Sequence, residues 1–262
     1  MNRIQQIQYL IQVLLKEMPA YQEQARAFPQ DELSQRRLLR SLMNVRPPMP
    51  LDPSFLAVQD DLLSAEREEK GVVEADTLPD RPGHPGITVW QGDITRLKAD
   101  AIVNAANEAL LGCFIPCHSC IDNIIHTCAG VQLRLACDRL MRDQGRPEPT
   151  GRAKITPAFN LPSRYVLHTV GPVITGPLRE EDCRLLAGCY RSCLELAAKN
   201  GLKSVAFCCI STGVFRFPQE RAAEIAVETV KQFLEQDDTV EQVIFDVFTD
   251  RDLELYRRQL EK

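Results

Sequence analysis

From Gly86 onward the chain alternates short apolar runs with amphipathic ones, and this alternation constrains the fold more than any other feature. Strand-like runs fall at 87–91, 101–104, 154–159, 165–169, 204–210 and 242–248, with helical stretches at about 120–144, 180–200 and 218–236 and a last one from Asp250. Apolar strands separated by helices predict an α/β fold whose largely parallel sheet is covered on both faces. Such sheets bind ligands beyond the carboxyl ends of their strands. The residues just after each strand therefore carry the functional expectations: QGDI after the first, NAAN after the second, STGVF after the fifth and FTD after the sixth.

Residues 1–85 read differently. They hold two of the thirteen glycines and none of the ten cysteines, and they end in Thr77–Gly86, a run with three prolines and two glycines that reads as a boundary. Ile4, Ile7, Leu10, Ile11, Leu14, Leu15 and Met18 recur at helical spacing, and further helices are expected at 31–44 and 53–69. We expect a helical N-terminal extension (1–85) that caps the α/β part (86–262) and carries no ligand contact of its own, a partner-docking module being the other reading.

The composition limits the partners. A formal charge of −5 lacks the basic face that displaces counterions from a phosphate backbone, so no nucleic-acid binding is expected. The opening segment has glutamines within its apolar stretch and no small-residue cleavage site, reading as neither signal peptide nor membrane span. Ten cysteines diluted in 262 residues fit a reducing, cytoplasmic setting.

The densest chemistry lies between Cys113 and Cys128, where four cysteines and two histidines occur. Cys113, His118 and Cys120 precede the expected helix and offer the soft and borderline ligands that zinc favours. Three ligands leave one position open, as in catalytic sites; Cys117, Cys128 or His126 as a fourth would close it into a structural one. The P-C-x-x-C run at 116–120 is half of a zinc deaminase signature, but the required H-x-E occurs nowhere in the chain. C-x-x-C also admits a redox pair, although the intervening histidine has no role in that chemistry. Neither a Rossmann nor a Walker glycine pattern occurs.

Two other features admit plain readings. Ser211-Thr212-Gly213 is expected at a strand-to-helix turn, where backbone amides and the positive end of a helix suit a phosphate, or where the residues simply cap. Asp122 is expected in the first turn of its helix, where it caps or acts chemically. Ile121, Ile124, Ile125 and Cys128 are expected to form the core face of that helix, and His126 and His168 to be hydrogen-bonded structural residues.

Taken in order, Gly92-Asp93-Ile94-Thr95, Asn104-Ala105-Ala106-Asn107, Gly151-Arg152-Ala153, His168-Thr169-Val170-Gly171-Pro172 and Ser211-Thr212-Gly213 resemble the macrodomain family over about residues 86–260. The C-x4-H-x-C pattern of Cys113, His118 and Cys120, with a helical extension before it, resembles the zinc-dependent subgroup. The resemblance implies a three-layer α/β/α fold with a mixed sheet, zinc as cofactor, and removal of ADP-ribose from modified acidic side chains. Through its microbial members the resemblance also implies reversal of sirtuin-type modification of a lipoyl carrier protein. It further implies that Asp93 meets the adenine amino group with Ile94 beside it, and that Asn107 and Asp122 face the ribose nearest the scissile bond as catalytic residues. Cys120 and Ile121 adjoin that ribose, Ser211, Thr212, Gly213, Val214 and Phe215 wrap the diphosphate, and Phe248 stacks on adenine. Val214 departs from the polar or aromatic residue often found after Ser-Thr-Gly. The alternative function is a non-catalytic ADP-ribose reader with a structural zinc.

Overall fold

Asn2 and Gln5 form a capping box that opens α1 (Arg3–Glu17), and Asp31 and Asp52 cap α3 (Glu32–Val45) and α4 (Pro53–Lys70), with the short α2 (Gln22–Arg26) between α1 and α3. The computed structural model describes residues 1–50 and 52–261. The apolar stripe of α1 meets those of α3 and α4: Ile7, Leu10, Ile11, Leu14, Leu39, Phe55 and Leu62 are buried in one cluster. Val131, from the α/β part, is buried in the same cluster. Arg46 is also buried there, held by both carboxylate oxygens of Glu17 at 2.7 and 3.0 Å.

The main sheet has the order β2-β8-β7-β4-β6-β5, from β2 (Ile87–Gln91), β4 (Ala101–Ala106), β5 (Ala153–Pro157), β6 (Tyr165–Val170), β7 (Ser204–Phe207) and β8 (Gln242–Val247). All neighbours are parallel except β5, which pairs antiparallel with β6 at the edge. The remaining helices are α5 (Ile121–Ala129), α6 (Val131–Gln144), α7 (Glu180–Lys199), α8 (Gln219–Leu234) and α9 (Asp250–Gln259). Helices α5 and α6 pack on each other and on the sheet, as do α7, α8 and α9, and the right-handed crossovers usual for parallel strands place the two groups on opposite faces. The result is the expected α/β fold, a mixed and mostly parallel sheet between helical layers, preceded by N-terminal helices. None of the described helices is long and apolar enough to cross a membrane.

Three local expectations are corrected. The single helix expected over 120–144 breaks at Gly130, whose φ of +93° suits glycine and where a Cβ would lie 2.6 Å from Nε2 of Gln59. The strand expected to reach residue 210 ends at Phe207; Cys208 and Ile210 are buried, but the backbone has already left the sheet. A parallel pair, β1 (Val73–Glu74) with β3 (Leu97–Lys98), was not anticipated, because two residues are too few for a periodic signal.

Candidate active site

The anticipated segments do gather at the carboxyl end of the sheet. Asp93 follows β2 and caps a single 3-10 turn, its Oδ1 accepting from the Thr95 N–H at 3.0 Å and the Thr95 hydroxyl at 2.6 Å. Ile94 beside it is buried. Asp246 on β8 was not anticipated. Burial and then the nearby Asp93 charge push its carboxyl well above the usual carboxylate range, and its Oδ1 is buried without a partner.

Beyond β7, the Ser-Thr-Gly segment is a loop of its own. The Phe217 amide donates to the Ser211 carbonyl at 2.9 Å and the Arg216 amide to the Gly213 carbonyl at 3.0 Å, and the next helix starts only at Gln219. The expected direct strand-to-helix turn is thus replaced by a longer loop. Ser211 and Arg216 sit at φ +64° and +60°, a region that side chains other than glycine's enter at a cost. The buried Ser211 Oγ has no partner. Gly171, at the end of β6, lies so close that a Cβ there would fall 2.0 Å from this oxygen. The Ile174 amide donates to the Phe215 carbonyl at 2.9 Å, tying the two loops together. Val214 and Phe248 project outward, 68% and 83% exposed, at the rim of this end of the sheet.

Asn107 and Asp122 are brought together. Asn107 Nδ2 donates to the Gly112 carbonyl at 3.2 Å and to Asp122 Oδ2 at 3.4 Å. The helix cap is Cys120, whose sulfur accepts the Asn123 amide, so Asp122 is free of the capping role considered for it. Its Oδ1 accepts instead from Asn104 Nδ2 at 2.8 Å. Burial raises the Asp122 carboxyl to about 6, against the pull of the Asn104 hydrogen bond and the Arg134 charge.

The first turn of α5 explains another correction. Ile125 is buried as expected, but Ile121, Ile124 and Cys128 are only half-buried, while Asp122, Asn123, His126 and Thr127 are buried. Helices α3 and α4 cover α5 from outside, so its polar side is enclosed as well. His168 is hydrogen-bonded as expected, with Nδ1 accepting from Asn104 at 3.2 Å and Nε2 meeting Thr156 Oγ1 at 2.9 Å. His126 differs: neither ring nitrogen has a hydrogen bond, and Asp122 Oδ1 stands 3.5 Å from Nε2. Burial pushes both imidazoles down, His168 to about 3, so both are neutral. His126, His168 and Cys137 form a buried group whose donor atoms lie within 4.8 Å of one another, but both His168 nitrogens are already engaged.

Cys113, His118 and Cys120 also converge, their donor atoms all within 4.8 Å of one another and half-buried. Burial lifts the Cys120 thiol to about 11, and Cys113 alongside pushes the same way. Such crowding of thiols is what a cation relieves, so the residues fit zinc. The other candidate ligands point elsewhere. Cys117 Sγ lies 3.3 Å from Ser41 Oγ, Lys70 Nζ approaches Cys128 Sγ at 3.9 Å, and His126 belongs to the second group. Gly112 joins the ligand loop to Asn107 at φ +79°, where a Cβ would meet the His126 ring at 2.9 Å.

Several residues that shape the site carried no functional sequence signal. Asn123 Nδ2 donates to the carbonyls of Cys113 and Ile115 at 3.3 and 3.0 Å. Buried Arg134 donates to the Leu111 carbonyl at 2.6 Å and lies 4.1 Å from the centre of the Phe114 ring. Asn104 was visible only as part of NAAN. An Asp or Asn just before a helix or after a strand signals a turn, but a partner many residues away leaves no local pattern.

Paired amide and carboxyl groups thus meet at the strand ends, and comparison with known proteins gives the fold a family. A model described as Macro domain matches residues 103–226, and the chain belongs to the macrodomain family. It is 55% identical over 252 residues, 95% of its length and 96% of the relative's, to a protein of Treponema medium named Protein-ADP-ribose hydrolase. A protein of the same name from Staphylococcus aureus (strain MSSA476) is 54% identical over 221 residues, 84% of this chain and 82% of its own. Among solved structures, a Trypanosoma brucei macrodomain in complex with ADP-ribose superimposes with a TM-score of 0.66 at 32% identity, covering 84% of this chain and 94% of that one.

Proposed function

We propose that this protein is a zinc-dependent hydrolase that removes ADP-ribose from acidic side chains of modified proteins, a lipoyl carrier protein being the expected target. The observation that carries this reading is the convergence of Cys113, His118 and Cys120 on the loop that leads from Asn107 to Asp122, at the end of the sheet where its strands open. The names of the Treponema and Staphylococcus relatives point to the same activity. Adenine would lie against Asp93, whose Oδ2 is the carboxylate oxygen not engaged by Thr95. The loop from Ser211 to Phe215 would wrap the diphosphate, with the unpartnered Ser211 hydroxyl as one donor.

At the reacting end, Asn107 presents an amide held by the Gly112 carbonyl, and Asp122 a carboxyl held by Asn104. Asn107 would orient the distal ribose through hydrogen bonds, and the Asp122 carboxyl would orient it and exchange a proton with its hydroxyls or with attacking water. Zinc held by Cys113, His118 and Cys120 would supply a Lewis acid there. Water adds across the linkage, releasing ADP-ribose and the free carboxylic acid. A three-residue ligand set, with Cys117, Cys128 and His126 directed elsewhere, favours this reading over a reader with a closed structural metal.

The test is incubation with aspartate-, glutamate- and arginine-linked ADP-ribosyl proteins, with and without a chelator. Release from the acidic linkages, abolished by the chelator and restored by zinc, is expected. Release that survives complete zinc removal refutes the metal role, and binding without release establishes the reader.

A further inference from the structure

The loop that carries the candidate ligands, residues 107–120, has no helix or strand of its own. Something outside it must fix its shape, because three ligands converge on one ion only when the intervening backbone is held. Arg134 on α6 and Asn123 on α5 hold part of it, and α3 grips it from outside. Arg40 Nη2 donates to the His118 carbonyl at 2.9 Å and to Asn123 Oδ1 at 2.8 Å. One turn later, Asn44 Oδ1 accepts the Cys117 amide at 2.9 Å, at a residue whose φ is +52°. Arg40 and Asn44, four apart, share one helix face.

The two contacts divide the work. The guanidinium at Asn123 Oδ1 decides which way that amide faces, because an arginine only donates. With its oxygen so occupied, Asn123 turns Nδ2 toward the carbonyls of Cys113 and Ile115, which holds the first ligand. The same guanidinium holds the backbone of the second ligand, His118. Asn44 pins Cys117 in its left-handed conformation between them, and its own Nδ2 is anchored by Thr127 Oγ1 at 3.0 Å. The bonds of Arg40 and Asn44 all cross from the helical extension to the α/β part.

We propose that Arg40 and Asn44 are positioning residues for the Cys113–His118–Cys120 metal site, so that the N-terminal extension sets how tightly the loop holds its cation. This rests on the zinc reading of that cluster. Groups that orient ligands without touching the metal typically change its affinity by about 10–100-fold.

The experiment uses the full chain, stripped and reloaded, with zinc affinity measured by chelator competition, the visible spectrum of the cobalt(II) form, and melting of the metal-free protein. Arg40→Met and Asn44→Ala are each expected to weaken zinc at least about tenfold and to shift the cobalt bands, and Arg40→Lys to recover most of the affinity. Leu39→Ala is the control: Leu39 is buried on the same helix but in the apolar cluster, so it lowers stability without touching the loop. If the Arg40 and Asn44 variants bind zinc as tightly as wild type, the proposal is overturned while the zinc site stands. An equal loss in Leu39→Ala overturns it too, by reducing the effect to general destabilisation. Wild-type protein whose zinc content is indifferent to Cys113→Ala removes the metal site itself, and the positioning role with it.

Discussion

Replacing Asn104 by leucine tests the polar cluster behind the reacting end. Asn104 is fully buried; its Nδ2 serves Asp122 and His168 at 2.8 and 3.2 Å, while its own Oδ1 has no partner. Leucine has the same branching and no polar atoms. Two buried acceptors then lose their donor, at about 1–3 kcal/mol each, and one orphaned oxygen disappears, returning a similar amount. The net cost is about 1–3 kcal/mol, which for a chain of this size lowers the melting temperature by roughly 2–12 °C. Asn104→Asp should cost more, since it places a second carboxyl against Asp122. The assay is calorimetric melting of both variants and of Asn104→Leu/Asp122→Leu, whose cost should fall short of the sum of the single changes. Unchanged melting in Asn104→Leu, or strict additivity in the pair, would refute the idea that Asn104 acts by holding Asp122.

Three further outcomes are expected. Asp93→Ala should weaken ADP-ribose binding by about 1.5–3 kcal/mol in calorimetry through loss of a charge-assisted hydrogen bond; unchanged affinity removes Asp93 from the site. Gly171→Ala should force Ser211 aside and lower ADP-ribose affinity at least tenfold, whereas Gly176→Ala, whose Cβ meets nothing within 4 Å, should not. The stability contributed by His168 should fall on acidification from about pH 6.5 toward 3, against the opposite contribution of Asp122, whose raised carboxyl takes up its proton first in the folded state. The neutral His168 takes up no proton in the folded state until about 3, while the unfolded chain binds one below about 6.5. That group contributes full stability above about 6.5 and loses about 1.4 kcal/mol per pH unit below it. Urea titrations at pH 7 and 5 on wild type and His168→Gln isolate it: wild type should lose more stability, or gain less, than the variant between the two, and an identical pH dependence refutes the assignment.

The α/β core was legible because its strands are apolar on both faces and its helices amphipathic, so each announces itself within a few residues. The same locality made Asp93, Asn107 and the Ser211 loop readable as strand-end residues. What escaped was long-range. A helix buried by the sheet on one side and by α3 and α4 on the other has no face in water, so the hydrophobic stripe chosen for α5 was the less buried one. His126 was expected to find a hydrogen bond because a buried imidazole usually does; the enclosure that buries it provides none. Arg40 and Asn44 look like ordinary polar residues of an amphipathic helix until the loop they grip is in view.

The shared cluster also orders events during synthesis. Asn44 and Gln59 are both buried, and their backbone partners Cys117 and Val131 lie 73 and 72 residues further along the chain. When α1 to α4 have left the ribosome, the amides of Asn44 and Gln59 face water, and the apolar cluster is open where Val131 will close it. The bundle becomes a finished structure only when α5 and α6 arrive, so the first part of the chain to be made is completed by the second.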